Sequence, residues 1–213
     1  TKGAYFGASW EFANPKFYSM EKEDLTINFN KLILRNKFYL PVTNDLVLAL
    51  SLAGGVQRNF VVGHLVDSQT NQVRRDDKGV PIPKGYIPSI KVFRLDGIDN
   101  VRGFKDSEIN KLENGEDIGE VVVDDKAYFT NIKFEPRYYV DETQIYSVFF
   151  DAGRLYVNGV KPLDLRTSAG VSLKFQTPVG TLDFDYGVKM RRMRDRNAQR
   201  ETFGRFHLSI GVF

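Results

Sequence analysis

A few residues have types and spacings that could do chemistry. Asp183 and Asp185 stand two apart in an alternating stretch, so their carboxylates point to one side. Paired acids of this kind can divide acid and base roles when their surroundings drive their pKa values apart. Lysines and arginines recur on the same side, and ion pairing is then the commoner use of two such acids. His207 and Ser209 also share a side, the start of a nucleophile–base pair, but no Asp or Glu on that stretch could orient the imidazole. His64 has no partner ligand near it in sequence. The acidic run from Glu108 to Asp125 could hold a cation weakly. Arg191, Arg192, Arg194 and Arg196 form the most basic stretch, suited to phosphates such as those of lipopolysaccharide. A solvated loop is the commoner use of both segments. These residues predict no catalytic set, no cofactor site and no metal site.

Composition narrows the class. The 213 residues carry 30 Lys and Arg against 27 Asp and Glu, a net charge of +3, which gives no reason to expect nucleic acid. Cys is absent, which removes disulfides, thiolate ligands and Cys nucleophiles together. Hydrophobic residues make up 42% of the chain, enough for a core. The mean hydropathy is −0.33, and no apolar run approaches the roughly 20 residues a membrane helix needs. The chain begins at Thr1 without a charged-then-apolar leader, which reads as a signal peptide already removed. One class survives these cuts. A membrane β-barrel hides its apolar residues in alternation, where average hydropathy misses them.

The elements that must position these residues follow from that alternation. Leu182, Phe184, Tyr186, Val188 and Met190 alternate with Asp183, Asp185, Gly187 and Lys189. The same period of two runs through about 6–12, 32–40, 46–53, 128–140, 146–152, 165–176 and 206–212, predicting eight strands. Their apolar faces carry almost no charge, with Arg154 near a strand end as the exception. Their length suits tilted strands crossing a bilayer rather than the strands of about 5–6 residues usual in soluble domains. The connections alternate long and short. The short ones lie near 43–45, 141–143 and 177–180, the long ones near 13–25, 58–125, 157–164 and 191–204. Outer-membrane barrels sort their loops in this way, with periplasmic short turns, so the C-terminus is expected in the periplasm. Trp10, Tyr138, Tyr139, Tyr146 and Tyr156 read as interfacial girdle residues. Pro41 and Pro136 interrupt strand patterns near short turns, where a lost ladder donor costs less.

The longest loop contains Val101-Arg102-Gly103-Phe104, and Phe149-Phe150-Asp151-Ala152-Gly153 follows with Phe149, Asp151 and Gly153 on the inward parity. After these come Arg166-Thr167-Ser168-Ala169-Gly170-Val171, Thr177-Pro178-Val179-Gly180 and a last stretch ending in Phe206, Leu208, Ile210, Gly211 and Phe213. In order and spacing these motifs resemble the C-terminal part of the BamA/TamA outer-membrane assembly and translocation superfamily. The resemblance covers essentially the whole chain, 1–213, as a C-terminal barrel region with a long inward-folding loop at about 58–125. It implies an all-β transmembrane antiparallel barrel, with these strands as half of a sixteen-stranded one. It also implies that the VRGF loop folds back into the lumen and that Arg102 pairs with Asp151. Phe213 falls off the parity of Phe206, Leu208 and Ile210, a departure from the family's terminal strand.

The resemblance implies a protein that assembles and inserts other β-barrel proteins without catalysing a reaction. The last strand would form one side of a lateral seam. The expected partners are membrane lipids, lipopolysaccharide, unfolded outer-membrane proteins, and further barrel strands from upstream sequence or a second copy. Three alternatives belong beside it: a two-partner secretion pore of the same superfamily, the barrel of a patatin-like surface lipase, and a stand-alone small structural barrel.

Overall fold

The structure is a computed structural model and describes residues 2–14, 27–61, 63–77, 79–85, 87–97, 99–110, 123, 125–158, 164–192 and 201–211. Eight strands are defined: β1 Gly3–Ala13, β2 Phe29–Pro41, β3 Leu46–Asn59, β4 Lys126–Tyr139, β5 Gln144–Val157, β6 Arg166–Thr177, β7 Gly180–Lys189 and β8 Gly204–Gly211. They lie in chain order in one antiparallel sheet, with β1 and β8 at its two edges. The all-β expectation and the eight-strand alternation both hold, and an open sheet of this kind fits half of a barrel. Among the described residues no helix is long and apolar enough to cross a membrane, which says nothing of crossing by strands.

The period of two divides the sheet into unlike faces. Phe6, Trp10, Leu34, Phe134, Tyr146, Val148, Val171, Phe206, Leu208 and Ile210 stand exposed on one face. A row of large apolar side chains without cover is unusual for a protein in water and ordinary for one in lipid. The other face holds Gln57, Asn131, Glu135, Asp151, Ser168, Lys174, Asp185, Lys189 and His207, all buried.

Side chains close the short turns. Asp141 Oδ1 accepts the backbone N–H groups of Thr143 and Gln144 at 2.7 and 2.8 Å, and Thr43 Oγ1 accepts that of Leu46 at 3.0 Å. These contacts mimic a backbone turn and fix the hairpin registers. Pro136 leaves a visible mark. The β4–β5 ladder runs up to Phe134↔Phe150, resumes at Arg137↔Ser147, and is broken between them. Proline has no N–H to donate there.

The segment between β3 and β4 is not structureless. Isolated bridges join His64 to Pro83, Val66 to Val73 and Arg75 to Pro81. A 3-10 turn spans Ser89–Lys91, and a short helix, α1, spans Asp106–Ile109. The residues around them return over the inner face, where Ile87, Val92, Phe93, Leu95, Val101, Phe104 and Ile109 pack on Phe29, Ala127, Phe129 and Leu155. An apolar core therefore lies inside the curve of the sheet, towards its long-loop end. Polarity expected of a lumen gives way there because the loop, not water, covers the wall.

Two expectations need correction. Tyr156 is buried, and Tyr139 lies on the inner parity with Glu135 and Arg137, so neither belongs to an aromatic girdle, whereas Trp10, Tyr138 and Tyr146 are exposed on the outer face. Arg154, the expected charged exception, keeps the apolar-face parity opposite Thr130, where it is buried and its charge is matched by Asp164 at 3.2 Å.

The outer face makes a direct prediction. Leu34→Arg should destabilise the protein in bilayers by about 2–4 kcal/mol, as a cation does near mid-bilayer on a lipid-facing strand. Unfolding by denaturant from phospholipid vesicles measures this, and no change would mean that Leu34 does not face lipid.

Candidate functional site

The site is built where the loop crosses the inner wall. Arg102 is 2% exposed and Asp151 is fully buried. Two parallel hydrogen bonds join them: Nε to Oδ2 at 2.8 Å and an Nη to Oδ1 at 2.9 Å. The Arg102 backbone N–H also donates to Asp151 Oδ2 at 3.1 Å. The other Nη reaches Glu135 at 2.8 Å and Asp185 at 3.4 Å. Beneath the guanidinium lies the Phe149 ring, 3.6 Å from its carbon to the ring centroid. Planar donors, a bidentate acceptor and an aromatic face make this a site for Arg rather than Lys.

The charges balance locally. Arg102, Lys133, Arg137 and Lys174 stand among Glu135, Asp151, Asp183 and Asp185. Burial alone would favour proton loss from Arg102, but the facing carboxylates outweigh it and hold the guanidinium charged well above its ordinary range. Asp183 and Asp185 are thus ion-pair partners, not an acid–base pair.

Glycines let the loop backbone reach the wall. Gly103 has φ = 91°, a left-handed conformation that Gly adopts without steric cost. It rests on Gly187 of β7, where a Cβ would stand only 2.7 Å from the Gly103 nitrogen. At Gly153 a Cβ would stand 2.7 Å from Val101 Cγ2. Phe104 is fully buried and lies between two cations, Arg166 at 4.7 Å and Lys189 at 5.1 Å from its ring centroid. Arg166 is itself paired with Glu201.

The loop touches every strand in turn. Lys91 pairs with Glu11 of β1 at 2.5 Å, and its carbonyl accepts from Lys31 of β2 and Gln57 of β3. The Asn100 carbonyl accepts from Asn131 of β4 at 2.8 Å. Arg102 holds β5, the Phe104 ring meets Arg166 of β6, and Glu108 in α1 pairs with Lys189 of β7 at 2.6 Å. On β8, His207 Nε2 accepts the Gly103 backbone N–H at 2.9 Å. Glu108 is partly buried, which would raise its pKa, yet the Lys105 backbone N–H and the Lys189 ammonium hold it below the usual carboxylate range.

The structure thus brings Val101, Arg102, Gly103 and Phe104 onto Phe149, Asp151 and Gly153. Phe206, Leu208 and Ile210 point outward from β8 and Gly211 ends that strand, while Phe213 lies outside the described residues. So do Arg194 and Arg196 and most of the acidic run after Asn110. No group of acids or histidines among the described residues could hold a metal ion. Glu135, Asp185 and His207 were not singled out from sequence as contacts of the loop. Inward parity was their only signal. Below the loop, towards the short turns, remains a cavity of ≈ 500 Å³ whose lining mixes cations such as Arg35, Lys37 and Lys133 with acids such as Asp99, Glu135 and Asp183.

The profile of the Omp85 superfamily domain matches residues 1–213. The chain belongs to the Omp85 superfamily. The outer membrane protein assembly factor BamA of Nitratidesulfovibrio vulgaris is 29% identical over 135 residues, which cover 61% of this chain and 16% of that protein. The crystal structure of BamA from Haemophilus ducreyi lacking POTRA domains 1-3 superposes with a TM-score of 0.57 at 18% identity, covering 99% of this chain and 38% of that one. At that identity the likeness is one of fold. The chain spans well under two thirds of either protein.

Two substitutions test the site. Asp151→Ala leaves a buried guanidinium without its bidentate partner and should cost about 3–5 kcal/mol in unfolding experiments. A loss below about 1 kcal/mol would mean that the pair contributes no more than an exposed one. Gly187→Val should lift the loop from β7, raising hydrogen exchange in residues 101–104 while the β5–β6 ladder stays protected. Unchanged exchange at 101–104 would refute the close approach.

Proposed function

We propose that this chain is the C-terminal barrel region of a bacterial outer-membrane factor that assembles and inserts other β-barrel proteins. The superfamily membership supports this reading, as does the naming of the Nitratidesulfovibrio vulgaris relative as an assembly factor. One observation carries it furthest: a loop fastened to all eight strands leaves an ordered sheet with two free edges.

The work required is mechanical. An unpaired strand edge presents a row of N–H and C=O groups that an incoming strand can pair with. In a bilayer such an edge cannot stay bare, because unsatisfied backbone groups are costly there. In this proposal β8 is one side of a seam whose other side is supplied by upstream strands or a second copy. Arg102 and Asp151 brace the loop, so the wall keeps its curvature while the seam opens. The outward Phe206, Leu208 and Ile210 keep β8 in lipid, with the short turns and the C-terminus on the periplasmic side. Unfolded outer-membrane proteins would be the substrates, and lipids with lipopolysaccharide phosphates the surroundings.

The test is made in the intact native protein, reconstituted in vesicles and supplied with an unfolded barrel substrate. Arg102→Ala should lower the rate of substrate insertion about tenfold, equivalent to about 1.4 kcal/mol. Full insertion activity with unchanged barrel stability would remove the assigned role.

A further inference from the structure

The hydrogen bond between loop and edge strand differs in kind from the others in the strap. Elsewhere the loop is held by ion pairs, at the β1 edge through Lys91 and Glu11 among others, or by side-chain amides and ammonium groups donating to its carbonyls. At the β8 edge a backbone N–H, that of Gly103, donates to the ring nitrogen of a buried histidine at 2.9 Å. This nitrogen can accept only while it carries no proton. The geometry also leaves Gly103 little freedom to choose another acceptor. Its backbone is pressed on Gly187, the β7 residue whose ladder partner is Arg205 on β8. Gly97 also lies near the imidazole, where a Cβ would stand 3.4 Å from its Cε1.

We propose that His207 is a positioning residue through which the VRGF loop holds β8, and that protonation of its ring releases this hold. The proposal rests on the reading of β8 as a seam strand and deepens it. When Nε2 gains a proton, two donors face each other across the former hydrogen bond, and the loop loses its contact with the edge strand. The charged groups facing the ring come from four elements: Asp185 on β7, Arg205 on β8 itself, Arg102 in the loop and Asp106 in α1. Asp185 is also a carboxylate of Arg102. An imidazolium therefore competes with Arg102 for Asp185, so the same proton that breaks the Gly103 contact also weakens the contact of Arg102 with Asp185. Histidine is the side chain whose ordinary pKa, near 6.5, lets this happen under mild acid.

These 213 residues contain no cysteine, so a pair introduced at Lys105 and Leu208, with any cysteine elsewhere in the intact protein replaced by serine, can be spin-labelled without background. The distance between them is measured in the intact native protein in vesicles at about pH 8 and about pH 5, either side of the imidazole range. The wild type should give one distance at high pH and a second, longer population in acid. His207→Gln keeps an acceptor that does not titrate and should show the short distance at both pH values. His207→Leu removes the acceptor and should show the long population at both. A wild-type distribution that ignores pH overturns the proposal. So does a His207→Gln protein that shifts like the wild type, since another group would then be titrating. The distances need no substrate, so they judge the coupling alone. Failure to insert a substrate with the distances as expected would count against the assembly reading instead.

Discussion

Everything on the inner face depends on one buried cation. Arg102 sits among Asp151, Glu135 and Asp185 with Phe149 beneath it. Removing a guanidinium from water is costly, and the cost is offset only if nearly all its donors find partners. Those partners come from β4, β5 and β7, so the loop cannot dock unless these strands are already in register. Conversely, the strands leave carboxylates buried without compensation unless the loop arrives. Loop and wall therefore stabilise each other as a unit.

The strap resolves a problem that an open sheet poses. Eight antiparallel strands in chain order have only ladders between neighbours to set their curvature. A single segment that touches β1 through Glu11 and β8 through His207 adds constraints across the full width. The apolar core beneath it, with Phe93 against Phe129 at 4.8 Å between ring centroids, excludes water from one end of the concave face. The opposite end keeps an open cavity lined by charges of both signs. The inner face is thus divided into a packed half that fixes shape and a polar half that stays accessible.

Glycine placement shows how closely the parts were matched. Gly153 and Gly187 lie on neighbouring walls of the docking site, and each occupies a point where any Cβ would meet the loop. Neither could be told from a strand-weakening glycine by sequence alone. Phe104 illustrates the same point for side chains. Its ring fills the space between Arg166 and Lys189, covering two cations that would otherwise face each other.

The sequence by itself determined the strands. Alternation along 181–190 or 165–176 assigns each side chain to a face because the period of a strand is two, and lipid on one side enforces it. It also determined three hairpins, β2–β3, β4–β5 and β6–β7, since their short turns allow only neighbouring antiparallel strands. The pairing of Arg102 with Asp151 was legible only through resemblance, because 49 residues separate them and no local period links a loop to a wall. Only the tertiary structure decided the rest. It added Glu135 and Asp185 to that pair, gave His207 to the Gly103 amide, and buried Tyr156 and Arg154 although both keep the outer-face parity. These are contacts between distant segments. They arise from the curvature of the sheet and the path of one loop, and nothing in the spacing of residues along a single strand encodes either.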